Sequence, residues 1–198
     1  MNDISCLILA AGESARMGEP KALLLYRGET FLSAVHAAAK AGGAGQVIVV
    51  AGIHSAQIGR RLPAADAVMA VNPAPQGGMI SSVRTGLRAV RETASGVFIA
   101  LVDQPFVTAE VFAGLAAEHA QTPDAVVIAR YRGKKRGHPI VLPRAVFPLC
   151  FSGPDNLGLH WVTHHPAVTV RDVDFETDSI IRDVDTPQDY LRLTEAQP

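Results

Sequence analysis

The feature that most constrains this chain is an alternation. The runs CLILA (6–10), QVIVVA (46–51), AVMAV (67–71), VFIALV (97–102) and AVVIA (125–129) are short and rich in Val, Ile, Leu and Ala. Uninterrupted apolar runs of that length read as strands buried on both faces, the signature of a parallel sheet. Between them, segments 30–42, 55–62, 79–93 and 109–121 repeat their apolar residues at helical spacing. Thr30 and Thr108 stand where N-caps are expected, and Gly42-Gly43 where a helix should stop. The pattern predicts an α/β fold in one domain, with a mostly parallel sheet covered by helices on both faces. Past residue 129 it changes. RYRGKKRGHPIVL reads as two extended pieces around a basic turn, a small antiparallel excursion expected on one sheet edge. A short helix is expected over 156–165 and a strand over 167–174. Thr186 and Pro187 then signal a helix start, as N-cap and first helical residue.

Composition narrows the function. The 198 residues carry a formal charge of −1, which gives no basic footprint for a nucleic acid. Two cysteines are too few for a disulfide framework, and Cys6 reads as a buried, inert thiol. No run approaches the roughly 18 apolar residues of a membrane span, and MNDISCLILAAG lacks the basic start of a signal peptide. A cytoplasmic protein without a membrane partner is expected.

The stretch LILAAGESARMGEPKALL (7–24) leaves the first strand through small residues. Leu9, Ala10, Ala11, Gly12 and Ser14 allow backbone amides to approach a ligand beyond the strand's carboxyl end, where open α/β sheets bind ligands. Arg16 and Lys21 add two cations, one able to fork onto phosphate oxygens and one acting as a point charge. The combination suits a polyphosphate. Neither G-x-G-x-x-G nor G-x-x-x-x-G-K-[ST] is present, so the dinucleotide and P-loop fingerprints are both missing.

LAAGESARMGEPKALL resembles the opening signature of the MobA-like nucleotidyltransferases, L-A-A-G-x-S-x-R-M-G-x-x-K. NPAPQGGMISSVRTGL (72–87), ALVDQPFV (100–107), GHPIVL (137–142) and DVDTPQDY (183–190) follow in that family's order, and the DQP, GHP and D-x-D-T-P-x-D elements are most similar to molybdenum cofactor cytidylyltransferases. The resemblance implies a Rossmann-like nucleotidyltransferase domain over 1–198. It also implies transfer of a nucleoside monophosphate from an NTP, with CTP favoured, to the terminal phosphate of molybdopterin as pyrophosphate leaves. A molybdenum hydroxylase-type enzyme would receive the product. Arg16, Lys21 and Asp103 would then be catalytic. Asn72, Gly78 and Ser82 would face the base, and Gln104 and His138 the acceptor. Guanylyl transfer, another phosphorylated acceptor such as a sugar phosphate, and a non-catalytic cofactor chaperone are the alternatives.

Asp103 ends the apolar run 97–102, which points it into the same crevice as the opening loop. Magnesium takes oxygen ligands, commonly one or two carboxylates plus substrate phosphates. Taken by itself, Asp103 reads equally as a turn aspartate ahead of Pro105. Asp183 and Asp185 are two apart and share a face in an extended segment. The resemblance selects Asp185, just before Thr-Pro, as the second Mg²⁺ ligand. Two such carboxylates repel, so removing either is expected to hold or raise stability without metal. Asp189 falls in a first helical turn, where it suits the helix dipole.

His160, His164 and His165 lie together, and 160 and 164 share a helix face, yet no matching Cys, Asp or third ligand stands nearby, and structural zinc wants four. Trp161 reads as core or as a lid over a planar substrate. Where the cytidylyltransferases carry a G-D-x-G-A-R-like run, this chain reads SGPDNLGLHW (152–161), without the arginine. That leaves the identity of the acceptor open.

Overall fold

The computed structural model describes residues 3–63 and 67–195. In chain order the elements are β1 (Ile4–Ala10), β2 (Leu25–Tyr26), β3 (Glu29–Thr30), α1 (Phe31–Ala41), β4 (Ala44–Ala51), α2 (Ser55–Gly59), β5 (Val68–Val71), α3 (Gly78–Leu87), β6 (Gly96–Leu101), α4 (Ala109–Gln121), β7 (Val126–Tyr131), β8 (Lys135–Pro143), α5 (Phe147–Ser152), α6 (Gly158–Thr163), β9 (Val170–Phe175) and α7 (Pro187–Glu195). Strands β2 and β3 form a small hairpin, and the other strands make one sheet in the order β5-β4-β1-β6-β8-β7-β9. Its pairs are parallel except where β8 meets β6 and β7.

The antiparallel strand is therefore inside the sheet and not on its edge. The reason lies in the two halves of β8. Lys135 and Arg136 are exposed, but Pro139 to Pro143 are buried, and Val141 pairs with both Phe98 and Val127. The charged half conceals a fully buried half. The true edge on this side is β9, whose Asp172 and Asp174 pair with Arg130 and Arg136. Charge of this kind on an edge discourages pairing with another chain.

Strand alternation divides the core in two. Cys6, Ile8 and Ala10 point to one side, where Phe31, Leu32, Phe112 and Leu115 from α1 and α4 cover them. Leu7 and Leu9 point to the other, against Ile80, Val83, Leu87, Phe147 and Val162 from α3, α5 and α6. Thr30 caps α1 by accepting from the Ser33 amide at 3.0 Å. Thr108 has the extended backbone of an N-cap but no side-chain capping bond. α2 and α3 end earlier than their patterns suggest, and α5 was not expected at all. No helix of the described residues is long and apolar enough to cross a membrane.

Candidate active site

β1 and β6 are parallel neighbours, so both deliver their following residues to the same side of the sheet. The Val102 amide bonds Leu9 O at 3.2 Å and keeps the two exits together. Between them lies a cleft of about 330 Å³, lined by Leu9, Ala10, Gly12, Ser14, Arg16, Lys21, Asp103 and Asp185 together with Ala15, Pro20, Ala22 and Val102.

Ser14 shapes the loop. Its backbone is left-handed, with φ 52°, and its carbonyl accepts from the amides of Met17 and Gly18. Its hydroxyl accepts from the Lys21 amide at 3.1 Å. This bond fixes the root of Lys21, whose side chain is only 14% exposed. The Lys21 ammonium donates to Asp103 Oδ2 at 2.9 Å and to Asp185 Oδ1 at 2.5 Å. Those two oxygens are no farther apart than both contacts laid end to end, about 5.4 Å. Arg16 is 70% exposed and, among the described residues, pairs with Asp185 at 3.9 Å.

Burial works against the charge on Lys21, but its bonds to Asp185 and Asp103 prevail and hold its pKa above the usual value. Burial pushes the Asp103 carboxyl up against the pull of Lys21, and the charges of Asp183 and Asp185 add to that rise. Because Lys21 already offsets the repulsion between the two acids, deleting either acid breaks an ion pair. Even so, burial outweighs the pull of Lys21 on Asp103, so a neutral residue there keeps the expected gain in stability.

Asp185 is set from two directions. The Val184 amide donates to Asp103 O at 2.9 Å, drawing the late segment onto the end of β6. On the other side Asp189 Oδ2 accepts from the Asp185 amide, the Thr186 amide and the Thr186 hydroxyl. The Thr186 hydroxyl in turn accepts from the Asp189 amide at 3.2 Å. This is a reciprocal cap at the start of α7. The Thr186 bonds hold the Asp189 carboxyl below its ordinary range.

Other candidates lie outside the cleft lining. Ala11 is buried. Asn72 donates both amide hydrogens, to Ser81 at 2.8 Å and Ser82 at 3.0 Å, and accepts from the Ala74 amide. Both Asn72 and Ser82 are buried, so their polar groups serve the turn into α3. Gly78 is exposed there with φ 73°, a conformation that favours glycine. Gln104 is buried and donates to Asp183 Oδ1 at 2.8 Å, while its Oε1 has no hydrogen-bond partner among the described residues. Burial depresses the His138 imidazole to about 4 against the opposing charge of Asp183. A Cβ on neighbouring Gly137 would lie 1.9 Å from Ile180 O. Gln104, His138 and Asp183 thus form a polar layer beside the acidic pair.

The segment without its own arginine receives one from α3. Arg84 donates to Cys150 O at 2.7 Å, Gly153 O at 2.6 Å and Asp155 Oδ1 at 2.5 Å. Trp161 packs against the core beside Gly153, where a Cβ would meet its ring at 2.3 Å. The rings of His160 and His164 stack at 3.7 Å.

Known proteins resemble this chain over most of its length. The sequence model of the MobA-like NTP transferase domain matches residues 6–166. The chain belongs to the MobA-like NTP transferase family, and it is a nucleotidyltransferase. It is 30% identical to the nicotine blue oxidoreductase of Paenarthrobacter nicotinovorans, over 96% of this chain and 98% of that one. To the molybdenum cofactor cytidylyltransferase of Escherichia coli (strain K12) it is 26% identical, over 98% and 97%. Among solved structures, Rv0371c from Mycobacterium tuberculosis H37Rv superimposes with a TM-score of 0.86 at 29% identity, covering 98% of both chains. A manganese complex of that protein gives 0.80 at 27%, covering 99% of this chain and all of the other. Asp185 and α7 lie beyond the residues that the family model matches.

Proposed function

We propose that this protein transfers CMP from CTP to the terminal phosphate of molybdopterin and releases pyrophosphate. The observation that carries the reading is the meeting of Lys21, Asp103 and Asp185 in the cleft beyond β1 and β6. Hard oxygen donors this close fit a divalent cation, Mg²⁺ in this reading. The manganese complex of a relative supports a divalent metal. Bound there, the cation would neutralise charge on the phosphates. The chain's own residues position the reactants. The loop amides, Arg16 and Lys21 hold the triphosphate in line with the incoming phosphate. That acceptor is already ionised, so no general base is assigned. Asn72 and Ser82 have spent their side chains on each other, so the base is met there by backbone groups around Gly78. Gln104 and His138 border the acceptor side. Both cysteines are free and buried, which suits the reducing cytoplasm. A molybdenum hydroxylase-type enzyme is the proposed recipient.

The reading is tested with CTP and GTP, Mg²⁺ and molybdopterin, scored by pyrophosphate release. CTP should win by kcat/KM. A GTP preference promotes guanylyl transfer, and release only with a sugar phosphate moves the acceptor. Nucleotide binding without turnover leaves a cofactor chaperone. A second reading has its own support, because the 30% identical relative is named an oxidoreductase and matches from end to end. Redox turnover of nicotine blue, the compound that relative's name gives, would favour it.

A further inference from the structure

In the fold the acidic pair holds a cation, and that cation is Lys21. Two of the ammonium's three hydrogens go to carboxylates, at 2.9 Å and 2.5 Å, as charge-assisted bonds. The root of Lys21 is fixed through its amide on Ser14 Oγ and its carbonyl, which accepts from the Leu24 amide at 3.1 Å. Its four-carbon stem is flexible, so the ammonium can swing within the cleft while the backbone stays in place. Arg16 is no substitute, since it is largely exposed and stands 3.9 Å from Asp185.

Charge decides what can follow. One ammonium and two carboxylates leave a single negative charge. A divalent cation added to the same oxygens, with Lys21 still in place, would put like charges within a few ångströms of each other. A triphosphate removes that conflict, because its oxygens offer the ammonium a new partner as the carboxylates are released.

We propose that Lys21 guards the acidic pair: it occupies Asp103 and Asp185 until triphosphate oxygens receive it, so that a divalent cation binds the pair together with nucleotide and not before it. This rests on the reading of the cleft as an NTP site. Coupling of this kind is reciprocal, so metal must strengthen nucleotide binding by the factor that nucleotide strengthens metal binding.

The test counts free Mn²⁺ by electron paramagnetic resonance, with α,β-methylene-CTP as a non-reacting nucleotide. Wild-type protein should bind Mn²⁺ at least about tenfold more tightly with the nucleotide than without it. Without nucleotide, Lys21→Met and Lys21→Gln should each bind Mn²⁺ at least about tenfold more tightly than wild type. Adding Asp103→Asn to Lys21→Met should abolish that gain. If wild type binds Mn²⁺ equally well with and without nucleotide, the guard is overturned, and this arm needs no variant. If nucleotide helps wild type but neither Lys21 variant gains affinity, the guard falls and the NTP reading stands. If no form binds Mn²⁺ even with nucleotide, both fall together.

Discussion

At the scale of single residues, the polar layer behind the acidic pair has a definite cost. His138 is held neutral by burial, with its pKa lowered from 6.5 to about 4. Between those values the unfolded chain takes up a proton that the folded chain refuses. The contribution of a neutral His138 is therefore complete above pH 6.5 and is lost as pH falls toward 4. A tenfold difference in proton affinity between the two states is worth about 1.36 kcal/mol, so the loss reaches about 2–3 kcal/mol near pH 4.5. His138→Gln removes this titration and leaves the others. Denaturant melts of the two proteins at pH 7.5 and pH 4.5 should show the wild type losing that much relative to the variant. An unchanged difference between the two pH values would mean that His138 is not held neutral.

At the scale of elements, β8 carries more than a strand's usual share. Its Gly137 lies so close to the turn over Asp178–Ile181 that a Cβ would fall 1.9 Å from Ile180 O. That turn leads directly into Asp183 and Asp185. Gly137→Ala must push strand and turn apart, at a cost in the range of about 1–3 kcal/mol common for core strain. It should also lower turnover, since Asp185 moves with the turn. Full activity together with an unchanged melting temperature would contradict this packing. The same strand shows where sequence reading stops. Runs buried along their whole length, such as CLILA and VFIALV, were legible as strands because nothing competes with their pattern. RGHPIVLP mixes an exposed basic half with a buried apolar half, and its average suggests an edge. The six residues of α5 hold Pro148 and lie too short for a helical period to emerge. Arg84 could not be matched to the segment 152–161 from spacing alone, since α3 and that segment meet only through the fold.

At the scale of the whole molecule, the site is a product of topology. Lys21 follows β1, Asp103 follows β6, and Asp185 comes after the last strand of the sheet. The loop and Asp103 were legible one at a time, each as the exit of a buried strand. Asp185 came through family likeness, and no spacing could show that one lysine would bridge both acids. That bridge sets the final expectation. Asp103→Asn and Asp185→Asn should each lower kcat by at least about tenfold, a barrier rise of about 1.4 kcal/mol, if both carboxylates hold the cation. Their effects on stability should differ. Burial holds the Asp103 carboxyl above its ordinary range despite Lys21, so a neutral Asn relieves a cost, whereas Asp185 is 42% exposed and its loss gives up only a solvent-screened pair. Without metal or nucleotide, thermal melts at neutral pH should therefore place Asp103→Asn at or above wild type and Asp185→Asn at or slightly below it. A melting temperature for Asp103→Asn clearly below that of wild type would show that the Lys21 bridge outweighs the cost of burying that charge. Unchanged kcat in either variant would remove that residue from the cation site and leave the other to hold it with phosphate and water.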